Sequence, residues 1–193
     1  MIPSPPSVSF ADEPLILVDP SDQIIGYRDK ASCHVGEGLL HRAFSIYLFD
    51  AAGNLLMQQR APQKTLWPNY WSNTCCSHPR RGETVEQAAH RRLEDELGLH
   101  AELRYLYKFI YQARFADVGS EHELCSVFVG RATRPPRVHP EEISATRFFQ
   151  AAEIDRLVAD PHSDFTPWLR LQWPQLRAHH GPLIRGLCQA GAL

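Results

Sequence analysis

No run in this chain of 193 residues approaches the ~18 apolar residues that a membrane-spanning helix requires, and the longest apolar stretches are strand-sized. An excess of charge of one sign is also missing: 20 Lys+Arg stand against 22 Asp+Glu, a formal charge of −2. That balance leaves no global basic field of the kind that holds a phosphate backbone, so neither nucleic acid nor membrane is an expected partner. The opening MIPSPPSVSFADEP lacks the basic start and apolar block of a secretion signal and reads as a Pro/Ser tail. Cysteines are few and odd in number: Cys33, Cys75, Cys76, Cys125 and Cys188, in no repeating frame. This disfavours a secreted disulfide scaffold; free thiols in a reducing, cytoplasmic setting are expected. Lysine is scarce too, with only Lys30, Lys64 and Lys108 among the 20 basic residues.

What remains is 44% hydrophobic and 10% aromatic, enough for one domain with its own core. Leu15 to Asp19 and Gln23 to Arg28 read as strands around a turn at Pro20-Ser21-Asp22. His41 to Phe49 alternates, with Ala43, Ser45, Tyr47 and Phe49 on one face and Phe44, Ile46 and Leu48 on the other. A hairpin turn at Asp50 to Asn54 leads into a strand over Leu55 to Arg60. Pro62 to Asn73 and the Cys75-Cys76-Ser77-His78 segment read as loop. Thr84 to Leu97 is the clearest helix: Thr84 caps it, Gln87 takes the capping-box position and Gly98 terminates it. Strands follow over Ala101 to Phe115, Glu123 to Thr133 and Thr146 to Phe149. A helix over Ala151 to Ala159 precedes a last one that Thr166 caps and that Pro174 kinks or ends. The class is α+β: a mixed sheet core flanked by helices in a single domain over 14–180, with tails at 1–13 and 181–193. No heptad pattern or long apolar edge is present, and a monomer is expected.

Several residues stand out for their chemistry. His34, His41 and His78, with Glu121 and Glu123 two apart on one strand face, would suit a borderline divalent ion such as Mn²⁺ or Zn²⁺. Cys33-His34 and Cys75-Cys76-Ser77-His78 could instead build a structural zinc site, although their spacing matches no common finger. Arg92 and Glu96 lie within the apolar stripe of the Thr84–Leu97 helix, either as a solvated ion pair or as part of a site. Lys30, Arg60, Lys64 and Arg92 could meet a diphosphate whose Mg²⁺ is held by Glu96.

Ser77 to Leu99, SHPRRGETVEQAAHRRLEDELGL, resembles a degenerate Nudix box, with Glu83, Arg91, Leu93, Glu96, Gly98 and Leu99 in register. Ser77 replaces the leading Gly, Arg92 the Glu after the box Arg, and Asp95 the first of its Glu pair. Hydrolases of that superfamily need those carboxylates for Mg²⁺, so an Arg among them argues against phosphoanhydride cleavage. Together with His34-x6-His41-Arg-Ala-Phe-Ser, Lys64, Trp67-Pro68, Trp71-Ser72-Asn73-Thr74-Cys75-Cys76-Ser77-His78-Pro79, Glu121-His122-Glu123 and Thr166-Pro167-Trp168, the chain resembles type I isopentenyl-diphosphate isomerases over about residues 14 to 175.

The resemblance implies a Nudix-like sheet and a set of roles. Cys76 would be the catalytic cysteine, with Cys75 dispensable. Glu123 and Tyr111 would stand across the substrate from it. His34, His41, His78, Glu121 and Glu123 would ligate Mn²⁺ or Zn²⁺, and Glu96 would hold the Mg²⁺ that meets the diphosphate. Lys30, Arg60, Lys64 and Arg92 would contact that diphosphate, and Trp168 would line the cavity. The implied reaction moves a double bond by protonation at C4 and deprotonation at C2, through a tertiary cation at C3. Two other readings are a Nudix-type diphosphate hydrolase and a zinc-stabilised, non-catalytic diphosphate-binding module.

Overall fold

The first hairpin pairs β1 (Pro14–Val18) with β2 (Ile24–Asp29), and Asp29 then caps the four-residue helix α1 (Lys30–Cys33). That short turn of helix has no periodic signature in the sequence, because four residues cannot display one. Strand β3 (His41–Phe49) returns through a turn into β4 (Leu55–Arg60). The Asp50 carboxylate accepts the backbone N–H groups of Ala52 (2.9 Å) and Asn54 (2.8 Å), closing the turn. After β5 (Trp71–Ser72) and β6 (Cys75–Ser77) comes helix α2 (Val85–Leu97). The long hairpin β7 (Leu103–Phe115) and β8 (Gly119–Arg131), strand β9 (Ile143–Phe149) and helices α3 (Ala151–Ala159) and α4 (Pro167–Gln189) complete the chain. These elements come from a computed structural model that describes residues 6–189; positions 1–5 and 190–193 of the two expected tails lie outside it.

The nine strands form one mixed sheet with β3 at its centre. One edge of β3 pairs with β8 in parallel, from His41↔Glu123 to Phe49↔Arg131. The other edge meets β1, β6 and β4 in turn, all antiparallel. The alternation in β3 sorts the core into two layers. Phe44, Ile46 and Leu48 pack with Cys75 against Ala88, Ala89, Leu93 and Leu97 of α2. Tyr47 and Phe49 pack with Val127, Val129 and Phe149 against Leu169, Trp173 and Leu176 of α4. Helices therefore cover both faces, each large apolar side chain contributing roughly 1.5–3 kcal/mol on burial.

Helix α2 has the capping box and the left-handed Gly98 terminus expected of it. Several other expectations need correction. Cys75–Ser77 is strand rather than loop: paired to β3 at Ser45↔Cys76 and Ile46↔Cys75, the adjacent cysteines point to opposite faces of the sheet. Trp71–Ser72 is also strand, paired with β4 at Gln58↔Ser72. β8 begins at Gly119, four residues before the expected start, so Glu121 and Glu123 lie inside the strand.

α4 continues through Pro174 and Pro182, and through position 180 where a boundary was expected. Trp173 and Leu176 are buried, and Leu183, Ile184, Leu187 and Cys188 pack on the same core; this tertiary burial outweighs the lost backbone bonds at the prolines. The Thr166 hydroxyl bonds to Ser72 rather than to its own helix. Residues 7–13 run over the site described below instead of standing free: Lys30 Nζ donates to Ser9 Oγ at 2.6 Å, and Arg92 donates to the Val8 carbonyl.

If α2 is held by its buried face, Leu93→Ala should cost about 2–5 kcal/mol, whereas Thr84→Ala, at its cap, should cost about 1 kcal/mol. Urea unfolding of the two variants checks the order; equal losses would contradict it.

Candidate active site

The parallel register carries the first half of the site. His41 opens β3 directly beside Glu123 of β8, and Tyr111 of β7 lies across from Glu123 on the far side. The Tyr111 hydroxyl donates to Glu123 Oε2 at 2.7 Å. Glu121, two residues earlier, shares that face, and His34 at the end of α1 reaches it with Nε2 2.8 Å from Glu121 Oε2. The other ring nitrogen of His34 bonds the Lys30 carbonyl at 2.6 Å, and His41 Nδ1 bonds the Leu39 carbonyl at 2.7 Å. Those backbone bonds hold Nδ1 of each ring, so both rings aim Nε2 inward. His78 follows β6 and lies with Nε2 3.2 Å from Glu123 Oε1.

The His34, His41 and His78 rings sit with centroids 4.8–5.7 Å apart. Donor atoms of His34, His41, His78 and Glu121 all lie within 4.8 Å of one another. Burial pushes His41 down to about 4 and His78 well below the usual imidazole range, so both are neutral and offer lone pairs. Burial would raise Glu121, but the charge and hydrogen bond of His34 outweigh it and hold the carboxyl at about 2. Glu123 goes the other way: burial and the neighbouring Glu121 charge raise it well above the carboxylate range. His41 Nε2 and His78 Nδ1 are buried without hydrogen-bond partners. Buried orphan nitrogens are costly, and beside two carboxylates they suit a divalent ion. The donor set fits such a group, with Glu123 at its edge.

A cavity of about 520 Å³ opens beside this cluster, lined among others by Lys30, Arg60, Lys64, Cys76, Tyr111, Glu123 and Trp168. One end is cationic. Lys30 lies there, and loss of hydration together with the charges of Lys64 and Arg92 lowers it to about 8. Arg60 is tied to the carbonyls of Leu66 and Trp67 and lies 5.3 Å from the Trp168 ring centroid. The other end is apolar and aromatic, with Trp168 edge-on to Trp67 at 5.3 Å and tilted against Tyr111 at 6.4 Å. Cys76 faces this end from β6, its thiol pushed up to about 12 by burial, with the Arg60 charge working against that rise.

Arg92 and Glu96 form no solvated pair: both are 2% exposed, with Nη2 to Oε1 at 2.6 Å. Arg92 lines the cavity, whereas Glu96 lies behind it, off the cavity wall. Glu142, absent from the sequence reading, is buried between Lys64 and Arg92, 3.4 Å from the latter. It sits just ahead of β9, where no periodicity marks it. Cys33, the last residue of α1, is buried and Cys75 packs beneath α2, so the cysteines do not join the histidines as a structural zinc site among the described residues.

Gly119 packs directly on the His34 carbonyl, leaving no room for a Cβ. Gly119→Ala should therefore displace His34 and weaken Mn²⁺ or Zn²⁺ binding by about tenfold or more, with little change at the cationic end. Calorimetric titration with each metal checks this; unchanged affinity would contradict the cluster as a ligand set.

The comparisons agree on a family. A NUDIX domain model matches residues 39–169. Isopentenyl-diphosphate Delta-isomerase 1 of Photorhabdus laumondii is 40% identical over 170 residues, covering 87% of this chain and 97% of that protein. Isopentenyl-diphosphate Delta-isomerase of Burkholderia multivorans is 45% identical over 157 residues, covering 81% and 89%. Among solved structures, a Deinococcus radiodurans protein superposes with a TM-score of 0.70 at 22% identity, over 84% of this chain and 98% of that one, a likeness of fold. The MutT protein from Methanosarcina mazei Go1 gives 0.62 at 10% identity, over 73% and 95%. With the fold, the mixed sheet and most of its length shared, this chain belongs to the NUDIX superfamily and, within it, to the isopentenyl-diphosphate Delta-isomerase family.

Proposed function

We propose that this protein interconverts isopentenyl diphosphate and dimethylallyl diphosphate. The observation that carries the reading is a single cavity with cations at one end and, at the other, two proton-transfer groups, Cys76 and Glu123, beside Trp168. An alkene is a very weak base, so its protonation needs a close acid in a water-poor site. Glu123, whose ionisation is opposed by burial and by the neighbouring Glu121 charge, is the group that delivers a proton to C4. Tyr111, hydrogen-bonded to its other oxygen, fixes the carboxyl in place. The tertiary cation at C3 then loses a C2 proton to Cys76 acting as thiolate, and the two residues exchange roles in reverse. One proton enters and one leaves, so no redox partner is needed.

Burial opposes the thiolate, and Arg60 is the charge that favours it. Trp168 offers its π face to the cation at about 0.5–2 kcal/mol, too little to carry the reaction, and its larger service is to exclude water. Lys30, Arg60, Lys64 and Arg92 bind the diphosphate and thereby fix the reacting carbons. A divalent ion, Mn²⁺ or Zn²⁺, held by His34, His41, His78, Glu121 and Glu123 would tune the acidity of Glu123. Glu96, paired with Arg92, would hold the Mg²⁺ that meets the diphosphate and supply it with a carboxylate ligand. The protein is proposed to work as a monomer in the cytoplasm on this small substrate. The hydrolase reading is disfavoured by Arg92, which puts a buried cation where a row of metal-binding carboxylates would be needed.

Cys76→Ser should fold, keep its metal and bind inorganic pyrophosphate as the wild type does, while turnover falls at least about 10³-fold. A variant that still isomerises at near wild-type rate would remove Cys76 from the reaction, and phosphate release by the wild type would favour the hydrolase.

A further inference from the structure

Below the catalytic end of the cavity lies a polar knot that no role above uses. Ser72, Asn73 and Thr166 are fully buried. Burying such groups is unfavourable unless every donor and acceptor is met, and here they are met in one arrangement. The Asn73 amide nitrogen donates to two backbone carbonyls, Ile46 on β3 at 3.1 Å and Cys75 on β6 at 2.9 Å. With both N–H bonds committed, the amide cannot flip, and Oδ1 is fixed toward the cavity side. That one oxygen accepts from the Ser72 hydroxyl at 3.0 Å, from the Trp168 indole N–H at 3.1 Å and from the Cys76 thiol at 3.4 Å. Ser72 Oγ in turn accepts from Trp168 Nε1 at 2.8 Å and from Thr166 at 3.2 Å, and stands 3.6 Å from Cys76 Sγ. The strand pairing Gln58↔Ser72 pins it from below.

We infer that Asn73 and Ser72 are positioning residues that hang the Cys76 thiol and the Trp168 indole from one rigid node, and so set where the proton acceptor and the shielding π face stand relative to the same substrate carbon. The inference deepens the proposed isomerase reading and rests on it. A purely structural knot, tying β3, β5, β6 and the start of α4 together, would need no contact with Cys76 and none with the indole nitrogen. Cys76 and Trp168, two of the side chains that the reaction uses at this end, converge on the Asn73 oxygen. No hydrogen bond joins this node to the diphosphate end: Lys30, Lys64 and Arg92 are held by Ser9, Glu142 and Glu96, and Arg60, although over the Trp168 ring, is tied by the Leu66 and Trp67 carbonyls. Loss of the node should therefore misplace the chemistry while leaving substrate binding intact.

The test uses Ser72→Ala, Ser72→Thr and Asn73→Ala in the full chain. For Ser72→Ala, kcat should fall roughly 10- to 100-fold with KM little changed, the loss expected when reacting groups move by about an ångström. With substrate carrying deuterium at one or other C2 position, the choice between the two C2 hydrogens should become less selective. Part of the cation should also be captured by water as the C3 alcohol, visible by NMR. Ser72→Thr keeps the hydroxyl and should recover most of the rate and selectivity. Asn73→Ala should be worse than Ser72→Ala; if it fails to fold, the serine pair carries the test alone. Full kcat and selectivity in Ser72→Ala, with only a lower melting temperature, would overturn the inference, as would Ser72→Thr no better than Ser72→Ala. A separate readout is the rate of iodoacetamide alkylation of Cys76 at fixed pH, mapped by mass spectrometry and expected to change severalfold in Ser72→Ala. Should the wild type not isomerise, the functional reading fails, while alkylation still reports whether the node holds the thiol; an unchanged rate would again overturn it.

Discussion

The parallel pairing of β3 with β8 is the constraint on which the site depends. Its register sets His41 beside Glu123, and the antiparallel pairing of β7 on β8 adds Tyr111. On the other edge of β3, β6 sets Cys76 beside Ser45. Side chains alternate along a strand, so a slip of one residue would turn Glu121 and Glu123 to the face where Leu124 packs on Ile16 and Val18, away from the histidines. The register is held because the same alternation fills two apolar layers, one under α2 and one under α4. Folding energy and catalytic geometry are thus fixed by one pattern.

On that frame the chain buries polar groups that stability alone would not favour. Arg92, Glu96 and Glu142 are paired with little access to water, His41 and His78 crowd together without charge, and Glu123 is held where ionisation is opposed. Each is compensated by a neighbour or, for the two orphaned ring nitrogens, by what the cluster is fit to bind. The segment of residues 7–13 lies over the cations Lys30 and Arg92, lending backbone and hydroxyl oxygens where a diphosphate would bring its own.

Elements with local signatures were legible in the sequence. Thr84, Gln87 and Gly98 delimit α2, and the alternation from Ala43 to Phe49 sorts the β3 faces correctly. Elements that exist only through tertiary pairing were not. β6 is three residues long, and α1 is four. α4 passes two prolines because its far side is buried. Arg92 and Glu96 were visible as charges in an apolar stripe, but their burial depends on Glu142 and on the segment from Val8, far apart in sequence. Composition and spacing nominated the histidines and carboxylates; family resemblance supplied their roles and that of Cys76. Asn73 and Ser72 sat within a recognised block of residues, yet nothing local marks a buried amide as the meeting point of a thiol and an indole.

An isomerase transfers protons at carbon in this cavity, where a hydrolase would direct attack at phosphorus. Proton NMR of the wild-type protein with isopentenyl diphosphate and Mg²⁺ in D₂O distinguishes the two directly. The two allylic methyl signals of dimethylallyl diphosphate should grow, with deuterium entering the carbon skeleton and no phosphate released. An unchanged substrate spectrum with metal and diphosphate both bound would contradict proton transfer at carbon.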